Sequence, residues 1–369
     1  MSKIRAHPRE SAFKLLLSHA RTPAGEVDWE YLFQLARRHS IVPLVYGQLD
    51  HVPPEVLAKF KQHYIENSAR NTVLTAELCR LINLFRDHGI ETIPYKGPVL
   101  ALFAYGDIAL RRFVDLDVIV KKSDVLKARE ILLRSGYTPS KSLSLSQQGL
   151  LLHTQHNMQF SRDNHRLIIE LHWEVAPHLF ASTVNGERLW QDLITLDLNG
   201  TQVKTFSPED LLFSLCVHGS RHLWERLGWI CDVAELIARR PLNWPTLLER
   251  AASADTERMF LLGIHLAERL LNAPVPAAVK QRCDSDPRLR SLADNIIEHL
   301  FNGPTHVPAT SREIFKYNIG VRKTLGARAR YLLYMFRPTD SDLGSRSLPA
   351  SLSFAYYLTR PFRLFRTKI

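Results

Sequence analysis

Cysteine is scarce in this chain. There are four in 369 residues, Cys79, Cys216, Cys231 and Cys283, with no C-x-x-C pair and no nearby His pair at zinc-finger spacing. That pattern excludes a disulfide framework and a structural zinc site, and it points to reduced, mostly buried thiols in a cytoplasmic protein. Long apolar runs are also missing. No window approaches about 18 charge-free apolar residues, so no spanning helix is expected. The N-terminal MSKIRAHPRESAFKLLL lacks the uninterrupted apolar stretch of a signal peptide. A G-x-x-x-x-G-K-[ST] loop, a G-x-G-x-x-G fingerprint and a serine nucleophile elbow are all absent, which argues against P-loop, Rossmann and serine-hydrolase readings. No internal repeat or low-complexity segment stands out.

What is present is a large apolar content and an excess of positive charge. At 45% hydrophobic and 9% aromatic composition the chain can bury a sizeable core, and two or three domains are expected. The formal net charge is +11. Two readings stand: nucleic-acid binding, or a positive field that serves small anionic ligands. Much of the excess lies at the C-terminus, where Arg360, Arg363, Arg366 and Lys368 alternate with Pro361, Phe362, Leu364 and Phe365. Such a tail either touches an anionic surface, lipid or RNA, or docks as structure.

Periodicity divides the chain into four stretches. Residues 1–88 read as an N-terminal helical region, with apolar residues spaced at three and four and Pro53-Pro54 opening one helix. From Ile90 the pattern becomes mixed. A short strand spans Ile90–Ile93, a helix Pro98–Tyr105, and a strand Phe113–Val120. A helix capped by Ser123-Asp124 runs to Leu133, and Gly136 ends it. Gln155–Phe160 and Leu167–Val175 read as antiparallel strands around Arg162-Asp163-Asn164, and a hairpin with Asn199-Gly200 at its turn completes the sheet. Ser207-Pro208 then opens a helical region, 207–300, and a helix-rich basic tail covers 301–369. The class is α+β, with a small mixed sheet over 89–206 and flanking helices.

The chemistry concentrates in a few residues. Asp115-Leu116-Asp117 precedes Val118-Ile119-Val120, so a strand there projects both carboxylates from one face. Two like charges held that close call for a neutraliser, and the usual one is a divalent ion with hard oxygen ligands. Alternation likewise puts Glu170 and His172 on one face of Leu167–Glu174, with Ile169, Leu171 and Trp173 on the core face. A carboxylate in so apolar a strand is costly unless paired or metal-bound. If the two strands are neighbours, Glu170 joins Asp115 and Asp117 in a three-carboxylate site. Upstream, Lys96-Gly97 ends an apolar segment, where a small residue and a cation fit beside a phosphate. His218, Arg221, His222 and Glu225 lie at i, i+3, i+4 and i+7, one stripe of a helix. A metal pair, a nucleotide-facing stripe and hydrogen-bonded structural histidines are the readings for it. Asp232 reads as a helix-capping or Arg-pairing carboxylate, and Arg112 as a surface charge.

Lys96-Gly97, Tyr105, Arg111, Asp115 and Asp117 together resemble the K-G…Y…R…D-x-D pattern of a bacterial group usually called uncharacterised nucleotidyltransferases, within the DNA polymerase beta superfamily. Ile169-Glu170-Leu171-His172-Trp173 resembles that group's carboxylate-x-His-Trp strand. The stretch from Ser207 to Val275 is similar to its helical region. One departure is Pro98, where the wider superfamily has Ser after the glycine. The resemblance implies a Mg²⁺-dependent enzyme that moves a nucleoside monophosphate from an NTP such as ATP to an acceptor hydroxyl or phosphate, releasing pyrophosphate. It implies Asp115, Asp117 and Glu170 as catalytic ligands of two Mg²⁺ ions, with Glu170 also the base. Lys96, Gly97, Arg111, His172, His218 and His222 are implied as nucleotide contacts. The acceptor stays open: a sugar or polysaccharide precursor, a peptide or protein, a small molecule or a tRNA. The alternative is a nucleotide- or RNA-binding protein that keeps the fold without turnover.

Overall fold

The structure is a computed structural model describing residues 7–21, 25–181, 186–253, 255–303, 305, 308–339, 342 and 355–357. The basic cluster from Arg360 to Lys368 lies outside the described residues.

Five strands form the central sheet: β1 (Thr92–Pro94), β2 (Leu116–Val120), β3 (Thr138–Pro139), β4 (Asn157–Arg162) and β5 (Leu167–His172), in the order β1-β2-β5-β4-β3. β2 and β5 run parallel and the other pairs antiparallel, so the sheet is mixed, as the class expected from sequence requires. Alternation sorts the side chains of the two central strands. Leu116, Val118, Val120, Ile169, Leu171 and Trp173 enter one apolar cluster with the helix Val125–Arg134 and the C-terminal half of the long helix Pro54–Asp87. Asp117, Ile119, Glu170 and His172 take the opposite face. That face is covered by the second cluster, which joins the N-terminal helices to Pro208–Arg221, Leu227–Arg239 and Glu257–Leu271.

Several element boundaries differ from expectation for identifiable reasons. β1 starts two residues later than read and ends one later, at Pro94. The predicted helix Pro98–Tyr105 is a short α-helix, Gly97–Leu100, that widens into a π turn over Ala101–Tyr105. β2 starts at Leu116 rather than Phe113, because its neighbours pair only with residues 116–120. The backbone before it is held differently. Asn71 Nδ2 donates to the carbonyls of Ile108 and Arg111 at 2.6 and 2.8 Å, and Asn67 Nδ2 donates to that of Ala109 at 3.0 Å. The hairpin β6 (Ile194–Leu198) and β7 (Thr201–Thr205) forms as expected but makes its own two-stranded sheet. It does not complete the main one. It leans on β1 through Thr205 Oγ1, which donates to the Pro94 carbonyl at 2.8 Å.

The helix Pro208–Arg221 opens as predicted, with the Ser207 hydroxyl accepting from the Asp210 amide. It closes at Arg221. Leu223 and Trp224 follow with φ of 54° and 55°, and the Trp224 ring is fully buried. The ring fits because two glycines leave room: a Cβ on Gly219 would sit 2.4 Å from it, and one on Gly263 2.8 Å. This plug sets the path of residues 222–226 into the space above the sheet. Gly219→Ala is expected to destabilise the fold by about 1–3 kcal/mol through overpacking, read as a lower urea midpoint at unchanged m-value.

Candidate active site

The parallel register of β2 and β5 sets Asp117 directly beside Glu170. Their oxygens and a His172 ring nitrogen lie within 4.8 Å of one another, the one such metal-competent group among the described residues. His172 Nε2 stands 3.1 Å from Asp117 Oδ1 and 3.2 Å from Glu170 Oε2. Lys96 arrives from the end of β1, which runs antiparallel to β2, and its Nζ donates to Asp117 Oδ1 at 2.8 Å. Asn157 on β4 donates to Glu170 Oε2 at 2.9 Å. The sequence reading grouped Glu170 and His172 correctly on one face, but nothing in the sequence signalled Asn157.

Gly97 follows Lys96 with φ of 54°, a left-handed backbone that a Cβ disfavours. An added Cβ would also stand 3.4 Å from the Asp115 carbonyl. The glycine therefore lets the chain turn tightly against the entry to β2. The expected reason was backbone approach to a phosphate.

Electrostatics follow from burial. Burial pushes the Asp117 carboxyl upward, but Lys96 and the His172 hydrogen bond outweigh it and hold the group below the usual carboxylate range. Glu170 is lowered against its own burial by the hydrogen bond from His172. Burial works against the charged forms of His172 and Lys96, yet their carboxylate partners raise both. Asp115 is different. It borders the same cleft, but the three-ligand group does not include it and its carboxylate has no hydrogen bond or ion pair among the described residues. Burial, and then the Asp117 charge, push it up to about 6.

Arg111 donates through Nε and Nη2 to the two oxygens of Asp232 at 2.9 and 3.0 Å, and the Tyr105 hydroxyl adds a third bond at 2.8 Å. Asp232 is thus the Arg-pairing carboxylate that the sequence suggested. Arg111 is bound by two of its nitrogens, with Nη1 left free among the described residues.

The cleft above these groups holds about 390 Å³. Its far wall carries His218, Arg221, His222, Arg226 and Trp229. The stripe read as one helix face is helical only to Arg221, since His222 caps the helix and Glu225 lies beyond the Trp224 turn. His218 and His222 pack on the Trp229 ring at 5.4 and 5.3 Å between centroids. Burial, followed by neighbouring cations, lowers His218 well below its ordinary value and takes His222 to about 3, so both are neutral. Arg221 donates to His156 Nε2 at 2.7 Å. His156, and Ser40 and Leu44 from the N-terminal region, were not singled out in the sequence, because only the fold carries them here.

The family described as uncharacterised nucleotidyltransferase matches residues 25–272, well over half the chain and the whole of this site. The chain belongs to that family. A solved structure of an antigenic nucleotidyltransferase-like protein from Paracoccidioides brasiliensis is similar over 61% of this chain and 92% of its own, at 16% identity and a TM-score of 0.33. A superposition that loose carries no structural inference. No curated protein matches. Among the described residues no helix is long and apolar enough to cross a membrane.

Two measurements check the electrostatics of this cleft without substrate. Asp232→Asn leaves the buried Arg111 uncompensated and is expected to cost about 3–5 kcal/mol of stability. For Asp115 the folded carboxyl keeps its proton up to about pH 6, while the unfolded one loses it near 3.8. The native state then binds more protons in that window, so this group's contribution falls as pH rises through it. In metal-free buffer Asp115→Asn is expected to exceed the wild type by on the order of 1–3 kcal/mol at neutral pH. That advantage vanishes towards pH about 4, as read by urea denaturation of both proteins across the range.

Proposed function

We propose that the cleft carries out Mg²⁺-dependent transfer of a nucleoside monophosphate from an NTP to an acceptor oxygen, with release of pyrophosphate. The supporting observation is the β2–β5 register, which joins Asp117 to Glu170 in a cleft whose walls also carry Lys96, Arg111, Arg221, Arg226, His218, His222 and Trp229. The donor set suits the ion. Asp117 and Glu170 present hard oxygens, and Asp115 offers a third carboxylate from the rim, raised by burial and then by the Asp117 charge. When bound, the ion would offset the charge of the triphosphate and polarise the reacting phosphorus.

The chain's own groups divide the remaining work. Lys96 and the free nitrogen of Arg111 face the phosphates, while the tight Gly97 turn keeps the backbone close to the carboxylates. Asp232 and Tyr105 hold the Arg111 guanidinium in one orientation, which limits the entropy lost when phosphate binds. His218, His222 and Trp229 form a neutral, flat-walled recess for the base. In the reaction the acceptor oxygen bonds to the α-phosphorus and the bond to the pyrophosphate oxygen breaks, its electron pair leaving with pyrophosphate. An acceptor hydroxyl gives its proton to Glu170. Of the two paired carboxylates Glu170 is the accessible one, its side chain 27% exposed against 4% for Asp117.

A second reading is a nucleotide- or RNA-binding protein without turnover. One observation favours it: Asp117 Oδ1 already takes both Lys96 and His172. The deciding assay incubates labelled NTP, Mg²⁺ and candidate acceptors with wild type and Asp117→Ala. Loss of at least about 100-fold in pyrophosphate release is expected for the variant. NTP binding without release in the wild type would instead support the second reading. Equal release by both proteins would remove Asp117 from the mechanism.

A further inference from the structure

Beside the cleft lies a second cavity of about 380 Å³. Its walls come from the helix Trp29–Arg38, the long helix Pro54–Asp87, the segment before β2 and the turn after Trp224. Four arginines line it, Arg37, Arg38, Arg112 and Arg226, with His63 and a single carboxylate, Glu225. Ser40, Arg112, Glu225 and Arg226 border both cavities, so the two spaces share a wall.

Among the described residues, four arginines face one carboxylate in this second cavity. Arg112 and Arg226 have no hydrogen bond or ion pair among the described residues, although Arg226 lies over the Trp229 ring at 5.5 Å. Arg38 Nε and His63 Nδ1 are buried and have no hydrogen-bond partner among the described residues. Burial, and then Arg70, Arg226 and Arg37, push the Arg112 guanidinium below its usual range. Like charges gathered in a concave, half-buried site weaken the fold, and an anion with several oxygens relieves that cost. Guanidinium forks match phosphate oxygens two at a time. The volume suits a small ligand rather than a polymer groove.

We propose that this arginine-lined cavity is the acceptor subsite, and that the acceptor is a small molecule whose phosphate group seats between Arg37, Arg112 and Arg226. The proposal rests on the nucleotidyl-transfer reading of the neighbouring cleft and supplies the class of acceptor. The phosphate anchors the molecule behind the shared wall, and its reactive oxygen reaches past Arg112 and Arg226 toward Glu170. Triphosphate contacts stay with Lys96 and Arg111 on the other side of the cleft.

The test is calorimetric titration of the full chain with inorganic phosphate, and separately with Mg·ATP, for wild type, Arg112→Gln, Arg37→Gln and Asp117→Ala. Wild type is expected to bind phosphate at millimolar concentration. Arg112→Gln and Arg37→Gln each weaken that binding roughly tenfold or more and leave Mg·ATP affinity within about twofold. Arg112→Gln also melts higher than wild type in phosphate-free buffer, since it removes an unpaired charge, whereas a structural arginine would melt lower when replaced. Asp117→Ala keeps phosphate binding. No phosphate binding by wild type, or binding that neither arginine variant alters, overturns the subsite. So does an equal loss of Mg·ATP affinity, which would give the cavity to the nucleotide's own phosphates. Tight binding of single-stranded RNA in place of phosphate overturns it as well. Unchanged pyrophosphate release by Asp117→Ala sinks the catalytic reading alone, because the phosphate titrations do not depend on turnover.

Discussion

Two carboxylates sit side by side on the central strands of a sheet that is covered on both faces, and much of the structure around them answers that constraint. The β2–β5 pairing sets Asp117 against Glu170, and a slip of either strand by one residue would drive that strand's carboxylate into the apolar cluster beneath. Their repulsion at low dielectric is countered by Lys96 and His172. Burial disfavours the charged form of each, and the carboxylates they serve raise both in turn. The arrangement is self-consistent but strained at one point. Asp115 carries a carboxyl into the same field with no hydrogen bond or ion pair among the described residues, and burial with the Asp117 charge raises it.

A second buried charge pair ties the helical region to the sheet region. Arg111 comes from the segment stapled to the long helix by Asn67 and Asn71, whereas Asp232 comes from Leu227–Arg239. Removing either partner would strand a charge in the interior, so the pair specifies how the helices seat above the sheet. Trp224 acts in the same direction by packing. Its ring fills the hollow beside Gly219 and Gly263, which fixes the turn that carries His222, Glu225 and Arg226 to the cleft. The cleft is therefore built from three parts of the chain: the sheet, the N-terminal helices and the helices after residue 207. Family membership across residues 25–272 spans all three.

The elements with strong local signals were readable in advance. Proline at the first helical turn, the Ser207 cap, the Asn199-Gly200 turn and the apolar runs of β2 and β5 act over a few residues, and each element they announce is present. The side-by-side placement of Glu170 and His172 followed from alternation alone. Boundaries failed where partners decide them. Phe113 to Asp115 has the composition of a strand but no neighbouring strand to bond, and the helical stripe through Glu225 ends where Trp224 turns inward.

What the amino-acid order determines by itself is the α+β class and the faces of the strands, because backbone propensity and side-chain alternation are local. Long-range packing decides the rest. Arg111 finds Asp232 across 121 residues, Lys96 finds Asp117 across 21, and Arg112 turns from an apparent surface charge into the wall between two cavities. No spacing rule encodes such meetings, since they depend on how finished helices and strands stack on one another.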